Sequence, residues 1–407
     1  MNSPAHPDPA ARPLLAGIRV LDIGTLLAGP GAATLLGDHG AEVIKVERPD
    51  GGDTKRQFGP FDRGESLTFA VEDRNKKSVT LDLHRPEGQE VLRRLAATSD
   101  VVVENFRPGT LARWNLGYEA LRAVHPGIVL LSVSGFGQTG PNAQRPGYDR
   151  IALAYSGLLG ITGFPDRPPV RFGTAIADYV TALTGAFAVM SALYHRDALG
   201  GAGQHIDLAM YEALFKFSDV MLTAWDKIGL KRERAGNLFF GAAPGDHFRT
   251  QSGRYIALAV ASDAIFARLC AAMGRPECVQ DPRFGSHAER FAHIEAVNAI
   301  VAEWIASRPD AQAMQALEAA AIPFSLIYGI EDIVADPHYA ARGSIATVQH
   351  PVLGALRMPN VVPRFSGAAP QPIAASPALG AHTDTVLHEL LGLSQAEIGH
   401  LRGAGVI

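Results

Sequence analysis

The stretch that most constrains the fold is a strand–loop–helix–strand pattern near the N-terminus. Apolar and β-branched residues over 18–23 predict a buried strand, residues 24–30 a glycine-containing loop, residues 31–38 a helix of small side chains, and residues 43–46 a second strand. Two strands joined through one helix within roughly thirty residues form a βαβ unit and lie parallel, because a parallel pair needs a crossover. The chain therefore begins with a parallel sheet.

Strands and helices continue to alternate after this unit. Further strands are predicted at 78–83, 101–103 and 128–134, and helices at 87–97, 116–124, 178–196 and 208–225. The 178–196 segment is apolar almost all round, which is typical of a buried helix. We therefore predict a doubly wound, mostly parallel, Rossmann-like α/β domain over residues 14–200, completed by residues 355–407.

The remaining segments differ in character. A strand at 254–261 is followed by helices at 263–273, 288–307 and 310–321, which predicts a smaller α+β domain over residues 245–335. Ser394 and Glu397 have the spacing of a helix capping box. The segments left over are predicted to be a flexible tail at 1–13, a linker at 201–244 and a return linker at 336–354.

Composition excludes several classes of protein. Hydrophobic residues make up 47% of 407 residues, enough for a large core, and the net charge of −4 argues against nucleic acid or an acidic membrane surface as partner. Two cysteines cannot form a disulfide framework or a CxxC site. We find no uninterrupted apolar span of about 20 residues and no signal peptide, and expect a cytoplasmic protein without membrane association.

One glycine pattern resembles a dinucleotide site. Residues 135–140 match GxGxxG after a predicted strand, but the dinucleotide fold needs a helix to begin there. Pro141 and Pro146 follow instead, so we predict a loop. The fourteen histidines form no recognised ligand motif, and no metal site is predicted.

Asp178 stands apart among the acidic residues because it precedes the long apolar helix. A carboxylate at a helix N-terminus is favoured in its ionised form, and an ionised carboxylate in a nonpolar pocket is a nucleophile toward activated acyl groups. From the residues alone, however, a simple N-cap role is favoured. Basic side chains beside the predicted strand ends would suit a phosphorylated ligand, although each alone is an ordinary surface residue: Arg48, Lys76, Lys77, Arg107 and Arg113.

Taken together, these segments resemble the class III CoA-transferases, the CaiB/BaiF or formyl-CoA transferase-like family. The resemblance rests on ordered matches along nearly the whole chain, at residues 15–47, 75–83, 100–121, 132–141, 147–157, 203–213, 281–284 and 377–387. It implies that Asp178 is the nucleophile that forms aspartyl-anhydride and aspartyl-CoA intermediates. It also implies an interlocked homodimer, an acyl-CoA and a small carboxylic acid as substrates, and no cofactor beyond coenzyme A itself as substrate.

The resemblance assigns CoA contacts position by position. They fall on Leu27, Ala28, Arg48, Leu81, Asp82, Leu83, His84, Asn105, Phe106, Arg107, Arg113, Pro146, Gly147, Tyr148 and Asp149. Arg48 is expected at the nucleotide end.

Two alternatives remain open at this stage: an acyl-CoA racemase or epimerase, and a non-catalytic CoA-binding protein. The racemase branch has histidine where this chain has Tyr148, and tyrosine, with an ordinary pKa of about 10, is a poor proton acceptor. The oxalate-using branch has glutamine in place of Leu27 and a glycine run in place of residues 239–242. Arg171, close to Asp178 in sequence, is a candidate anchor for the second carboxylate of a dicarboxylate such as succinate.

Overall fold

The computed structural model describes residues 12–368 and 371–407. Most of the predicted N-terminal tail, residues 1–11, lies outside the described residues. The chain divides into two compact units, which are described separately. Of the described residues, the first contains 12–159, 171–230, 341–368 and 371–407, and the second contains 160–170 and 231–340.

The first unit is built on a six-stranded sheet in which every neighbouring pair is parallel, in the order β5-β2-β1-β6-β7-β8. Val20 of β1 pairs with Val43 on one side and Val101 on the other. The predicted parallel α/β architecture is therefore confirmed. The strands are β1 (Arg19–Asp22), β2 (Glu42–Glu47), β5 (Lys76–Thr80), β6 (Val101–Glu104), β7 (Val129–Ser134) and β8 (His205–Ala209).

Helices bury both faces of this sheet. One hydrophobic core lies beneath α1 (Ala28–Asp38) and α7 (Ile176–Leu199), and a second lies beneath α3 (Pro86–Ala96), α5 (Tyr118–Val124), α16 (Thr383–Leu391) and α17 (Gln395–Gly403). The predicted capping box of Ser394 and Glu397 begins α17. The other elements are β3 (Phe61–Asp62), β4 (Glu65–Ser66), α2 (Leu67–Glu72), α4 (Thr110–Arg113), α6 (Asp149–Tyr155), α8 (Met210–Phe215), α9 (Met221–Ile228), β12 (Ile345–His350) and β13 (Gly354–Pro359).

Small residues bring α1 and α7 close together. A β-carbon added to Gly31 would lie 3.0 Å from Cβ of Ala182, and one added to Gly185 would lie 2.9 Å from Cδ2 of Leu131. Gly185 also faces Ala32, so contacts advance along both helices in the same direction. The two helices are therefore parallel, and their N-termini lie at the same end of the sheet.

Two sequence predictions are wrong in this unit. The helix predicted over 208–225 is instead the end of β8, α8 and a separate α9, so part of the predicted linker 201–244 belongs to the sheet. Within the described residues, α7 is long and apolar enough to cross a membrane by length and composition, contrary to the prediction that no segment is. Its buried face packs on α1 and β7.

The second unit has a three-stranded antiparallel sheet in the order β11-β10-β9. Its core contains Phe248, Ile256, Phe266 and Trp304. Its elements are β9 (Gly245–Arg249), β10 (Tyr255–Ala259), α10 (Asp263–Ala272), α11 (His287–Ala292), α12 (Ile294–Ala306), α13 (Asp310–Ala319), β11 (Phe324–Leu326) and α14 (Ile330–Ala335), and α15 (Pro337–Ala341) ends at the boundary with the first unit. Within the described part of the chain, 3₁₀ turns lie at Thr54–Gln57, Leu158–Ile161 and Pro276–Gln280.

Candidate active site

The predicted site residues gather at one edge of the parallel sheet. Leu27 follows β1, Arg48 follows β2, Asp82 follows β5 and Asn105 follows β6, so all lie where the strands' carboxyl ends meet. A crossover helix between parallel strands begins at this same edge, and so the first turn of α7, which carries Asp178, lies there too. Ligands of doubly wound sheets bind at this edge.

Asp178 occupies the third position of α7 and is partly buried. The N-cap residue is Ala175, so the interpretation of Asp178 as a helix cap is wrong. Burial, and to a smaller extent the nearby carboxylate of Asp149, together raise the pKa of Asp178 to about 7, although the positive charge of Lys55 opposes both effects. Burial therefore makes the ionised form of Asp178 less favourable than in an ordinary aspartate, contrary to the expected stabilisation of its charge at the helix N-terminus.

Asp149, and not Asp178, accepts a hydrogen bond from a backbone N–H at the N-terminus of α7. Its Oδ2 accepts a hydrogen bond of 2.7 Å from the backbone N–H of Ala177. Tyr148 immediately precedes α6, and its side chain is exposed. The backbones of Gly147 and Gly135 touch, since a β-carbon on either would lie 2.8 Å from the other's Cα. The predicted loop over 135–140 is confirmed, with no helix beginning there.

A surface cavity of about 400 Å³ brings three of the predicted CoA contacts together: Arg48, Asp82 and His84. Arg48 Nε donates to Asp50 Oδ1 at 2.9 Å, and the backbone N–H of His84 donates to Asp82 Oδ1 at 3.0 Å. A guanidinium and an imidazole at one cavity are suited to phosphate groups. The C-terminal Gly405 also lines this cavity.

An aromatic cluster extends from the cavity toward the sheet edge. The ring of Trp114 lies edge-on to His84 and to Phe106, with centroids 5.2 Å apart in both pairs. Sequence reasoning missed Trp114, although it directly follows the predicted Arg113. Arg113 itself donates to Thr110 Oγ1 at 3.0 Å within its own helix.

The other predicted positions are dispersed. Leu81 and Leu83 have buried side chains within the second core, so only their main chain is available to a ligand. Arg107 is exposed and lines a separate cavity of about 460 Å³ with Glu104, whose pKa burial raises to about 7. Pro146 is exposed. Arg171 is exposed, and its Nη1 donates to the carbonyl of Phe172 at 2.8 Å.

A buried ionic network beneath the site was missed by sequence reasoning. Lys45 pairs with Asp53 at 2.8 Å, Lys76 with Asp22 at 2.8 Å, and Lys55 with Asp73 at 2.5 Å, all with almost no exposure. The suggestion that Lys76 faces a ligand is wrong, because this network encloses it. The signal was a lysine between valine and isoleucine in a buried strand, at position 45.

Among residues 12–368 and 371–407, no three histidine, cysteine, aspartate or glutamate side chains are grouped so that they could hold a metal ion.

Comparison with known proteins finds relatives that match nearly the whole chain. The chain is 45% identical over 397 residues to the succinyl-CoA–L-malate CoA-transferase beta subunit of Chloroflexus aurantiacus, covering 97% of this chain and 98% of that protein. It is 34% identical over 395 residues to human succinyl-CoA:glutarate CoA-transferase, covering 97% and 90%. A CaiB/BaiF family protein from Brucella suis superimposes with a TM-score of 0.83 at 34% identity, covering 93% of this chain and 99% of that one. The model of CoA-transferase family III matches residues 15–383, and the chain belongs to this family of enzymes.

Proposed function

We propose that this enzyme transfers coenzyme A between dicarboxylic acids, with Asp178 as its covalent nucleophile. The observation that carries the proposal is the partly buried carboxylate of Asp178 in the first turn of α7, at the sheet edge where the loops expected to bind CoA meet. The names of the relatives supply the substrate class, since they pair succinyl-CoA with malate or glutarate.

The first half-reaction moves coenzyme A onto the enzyme. A carboxylate oxygen of Asp178 attacks the thioester carbonyl, the C–S bond breaks, and an aspartyl-acyl anhydride and CoA thiolate result. The thiolate then attacks the Asp178 carbonyl carbon, which releases the donor acid and leaves an aspartyl-CoA thioester. No net proton is gained or lost.

The second half-reaction repeats these steps in reverse. The acceptor carboxylate attacks the aspartyl thioester, forming a new anhydride and releasing the thiolate, which attacks the acceptor carbonyl to give the new acyl-CoA and free Asp178. Each intermediate keeps the activation of a thioester, so the enzyme chiefly has to exclude water and stabilise oxyanions. A pKa near 7 suits Asp178, since it is more basic than an ordinary aspartate yet substantially ionised at neutral pH.

Binding of coenzyme A is assigned to the loops at the same edge. Arg48 and His84, at their shared cavity, are placed against the nucleotide phosphates. Leu27, Ala28, Phe106 and Arg107 are assigned to the rest of CoA. Arg171 is assigned to the second carboxylate of the acid, because its guanidinium lies on the loop that leads into α7.

A homodimer is part of the proposal. Four large side chains on α7 are spaced by three or four residues and are exposed in the single chain: Leu183, Phe187, Met190 and Tyr194. Such an apolar stripe is typical of a helix that packs against another subunit. A cytoplasmic location follows from the substrates, because coenzyme A thioesters are made and used inside the cell, and the scheme requires no cofactor beyond coenzyme A as substrate.

The deciding experiment combines exchange with trapping. Wild-type enzyme is incubated with succinyl-CoA and malate or glutarate, and the CoA thioesters are followed by mass spectrometry. Asp178→Asn should abolish exchange, while Asp197→Asn, near the other end of α7, should keep it. Hydroxylamine added during turnover should convert Asp178 to a hydroxamate. Exchange by Asp178→Asn, or solvent deuterium at the substrate α-carbon without exchange, would refute the proposal.

A further inference from the structure

The loop that joins β1 to α1, residues 23–27, has an unusual backbone conformation. Leu26 has a φ of 63°, in the left-handed region that L side chains with a β-carbon rarely adopt. Leu27, the N-cap of α1, is not capped by a side chain among the described residues. The shape of the loop therefore has to be imposed from outside it.

Asn105, at the end of β6, supplies the first constraint. Its Oδ1 accepts from the backbone N–H of Thr25 at 2.8 Å, and its Nδ2 donates to the carbonyl of Thr25 at 2.7 Å. Both polar atoms of the side chain are thus bonded to the residue before Leu26. The amide that was predicted to contact CoA is engaged with the loop.

Lys45 and Asp53 supply the second constraint. Asp53 Oδ1 accepts from the backbone N–H of Leu26 at 3.1 Å, and Lys45 Nζ donates to the carbonyl of Gly24 at 2.6 Å. The two side chains also pair with each other at 2.8 Å and are almost wholly buried. Buried charge-assisted hydrogen bonds are strong, so this pair fixes both ends of the Gly24–Leu26 segment.

Gly24 allows this close fit. A β-carbon at Gly24 would lie 3.0 Å from Asn105 Oδ1 and 3.1 Å from Cδ of Pro30. A β-carbon at Gly29, the second residue of α1, would lie 3.4 Å from Cβ of Asn105. The side chain of Asn105 is therefore enclosed between the loop and the helix.

We propose that Asn105, with the Asp53–Lys45 pair, is a positioning residue that holds Leu26 left-handed and so presents Leu27 and Ala28 to coenzyme A. The proposal rests on the proposed function, in which Leu27 and Ala28 contact the coenzyme. Asn105 acts through the loop and not on the ligand.

The test compares the affinity of the wild-type protein and of loop variants for coenzyme A, measured by calorimetry on the full-length chain. Asn105→Ala should weaken CoA binding about tenfold. Without the hydrogen bonds from Asn105, Leu26 adopts the left-handed conformation in only a fraction of the molecules, and the apparent affinity falls by that fraction. Adding Leu26→Gly should restore most of that loss, because glycine adopts positive φ freely. The KM for succinyl-CoA should follow the same order, while kcat changes less.

The second unit offers a matched control. The side chain of Asn298 is bonded to Gly245 as that of Asn105 is to Thr25. Its Oδ1 accepts from the backbone N–H of Gly245 at 3.1 Å, and its Nδ2 donates to the carbonyl of Gly245 at 3.2 Å. Asn298→Ala should lower thermal stability but leave CoA affinity within about twofold. Should Asn105→Ala not fold, Leu26→Val, which keeps Asn105 and adds a β-branch, should also weaken binding.

Three results would decide against this role. If Leu26→Gly does not rescue Asn105→Ala, then Asn105 contacts coenzyme A directly. If neither Asn105→Ala nor Leu26→Val weakens binding, the loop conformation is irrelevant. If wild-type protein does not bind coenzyme A, both this inference and the proposed function fail, whereas exchange by Asp178→Asn would overturn the proposed function alone.

Discussion

Asp149 Oδ2 accepts a hydrogen bond of 2.7 Å from the backbone N–H of Ala177, the residue before Asp178, so the carboxylate at the start of α6 is bonded to the first turn of α7. This N–H group is thus bonded to Asp149 and not to Asp178. Asp178 also carries the electrostatic cost of a second carboxylate nearby.

Replacing Asp149 should change the pH dependence of exchange. The negative charge of Asp149 raises the pKa of Asp178, so Asp149→Asn should lower that pKa and move the acid limb of the kcat profile from near pH 7 to lower pH. The rate at pH 6 relative to pH 8 should rise severalfold. Asparagine still accepts the N–H of Ala177, which limits structural change.

Glu104→Gln is the control for this profile, because burial raises the pKa of Glu104 to about 7 as well. This variant should leave the acid limb in place. If the acid limb moves with Glu104→Gln and not with Asp149→Asn, the group that titrates is Glu104 and not Asp178, and the prediction is contradicted.

Removing the charge of Asp178 should stabilise the protein at high pH. The folded pKa is about 7 and the unfolded value is about 3.9, so the folded state binds more protons between these values and wild-type stability falls as pH rises from 4 to 7. Asp178→Asn removes this loss and should gain roughly 1–3 kcal/mol above pH 7. Melting temperatures of both proteins from pH 5 to 8 should diverge as pH rises, and parallel curves would contradict the expectation.

Breaking the buried ionic network should cost much more than breaking a surface pair. Lys55→Met leaves Asp73 with one fewer buried partner, at an expected cost of about 3–5 kcal/mol in the free energy of unfolding. Lys227→Met removes an exposed pair with Asp226 and should cost less than about 0.5 kcal/mol. Denaturation monitored for both variants checks this, and equal costs would show that the network is not stabilising.

The assignment of Arg171 predicts a change in acid selectivity. Arg171→Ala should raise KM for glutarate or malate by about tenfold and leave KM for a monocarboxylate unchanged, because only the dicarboxylate loses a charge-assisted contact. The exposed Arg167→Ala is the control and should change neither. We would abandon the assignment if both classes of acid were affected equally.

The exposed stripe on α7 predicts the oligomeric state. Light scattering should give about twice the mass of one chain, and Phe187→Glu should shift the protein toward monomer, since a charge would be buried in the interface. Ile330→Glu, on an exposed apolar residue of the second unit, should leave the dimer intact. A monomeric wild-type protein would contradict the proposed assembly.

Local periodicity was enough to predict the parallel sheet, and sequence resemblance was enough to single out Asp178. β8 was missed because it is five residues long and runs directly into α8, without the turn residues that would mark its end. The helix predicted there extended the apolar run of α8 and α9 backwards.

The contacts that hold the site in place, those of Asn105 and of the buried lysine–aspartate pairs, could not be predicted from the sequence. Asn105 and Thr25 are 80 positions apart, so no local pattern connects them. The sequence around Lys45 indicates that it is buried, but its partner Asp53 and the partner Asp22 of Lys76 lie on other segments, so the pairing cannot be predicted locally. Long-range polar contacts of this kind depend on the finished topology.

The glycine contacts between α1 and α7 have a consequence for where the reaction happens. Both helices start at the same edge, one carrying the loop at Leu27 and the other Asp178, and their separation is set by hydrogen atoms at Gly31 and Gly185. A single methyl group at Gly185 would lie 2.9 Å from Cδ2 of Leu131 and would have to displace α7 from β7. Under the proposed function, residues with no chemistry of their own thus help to set the distance between Asp178 and the thioester, and a conservative core substitution is expected to change the reaction rate.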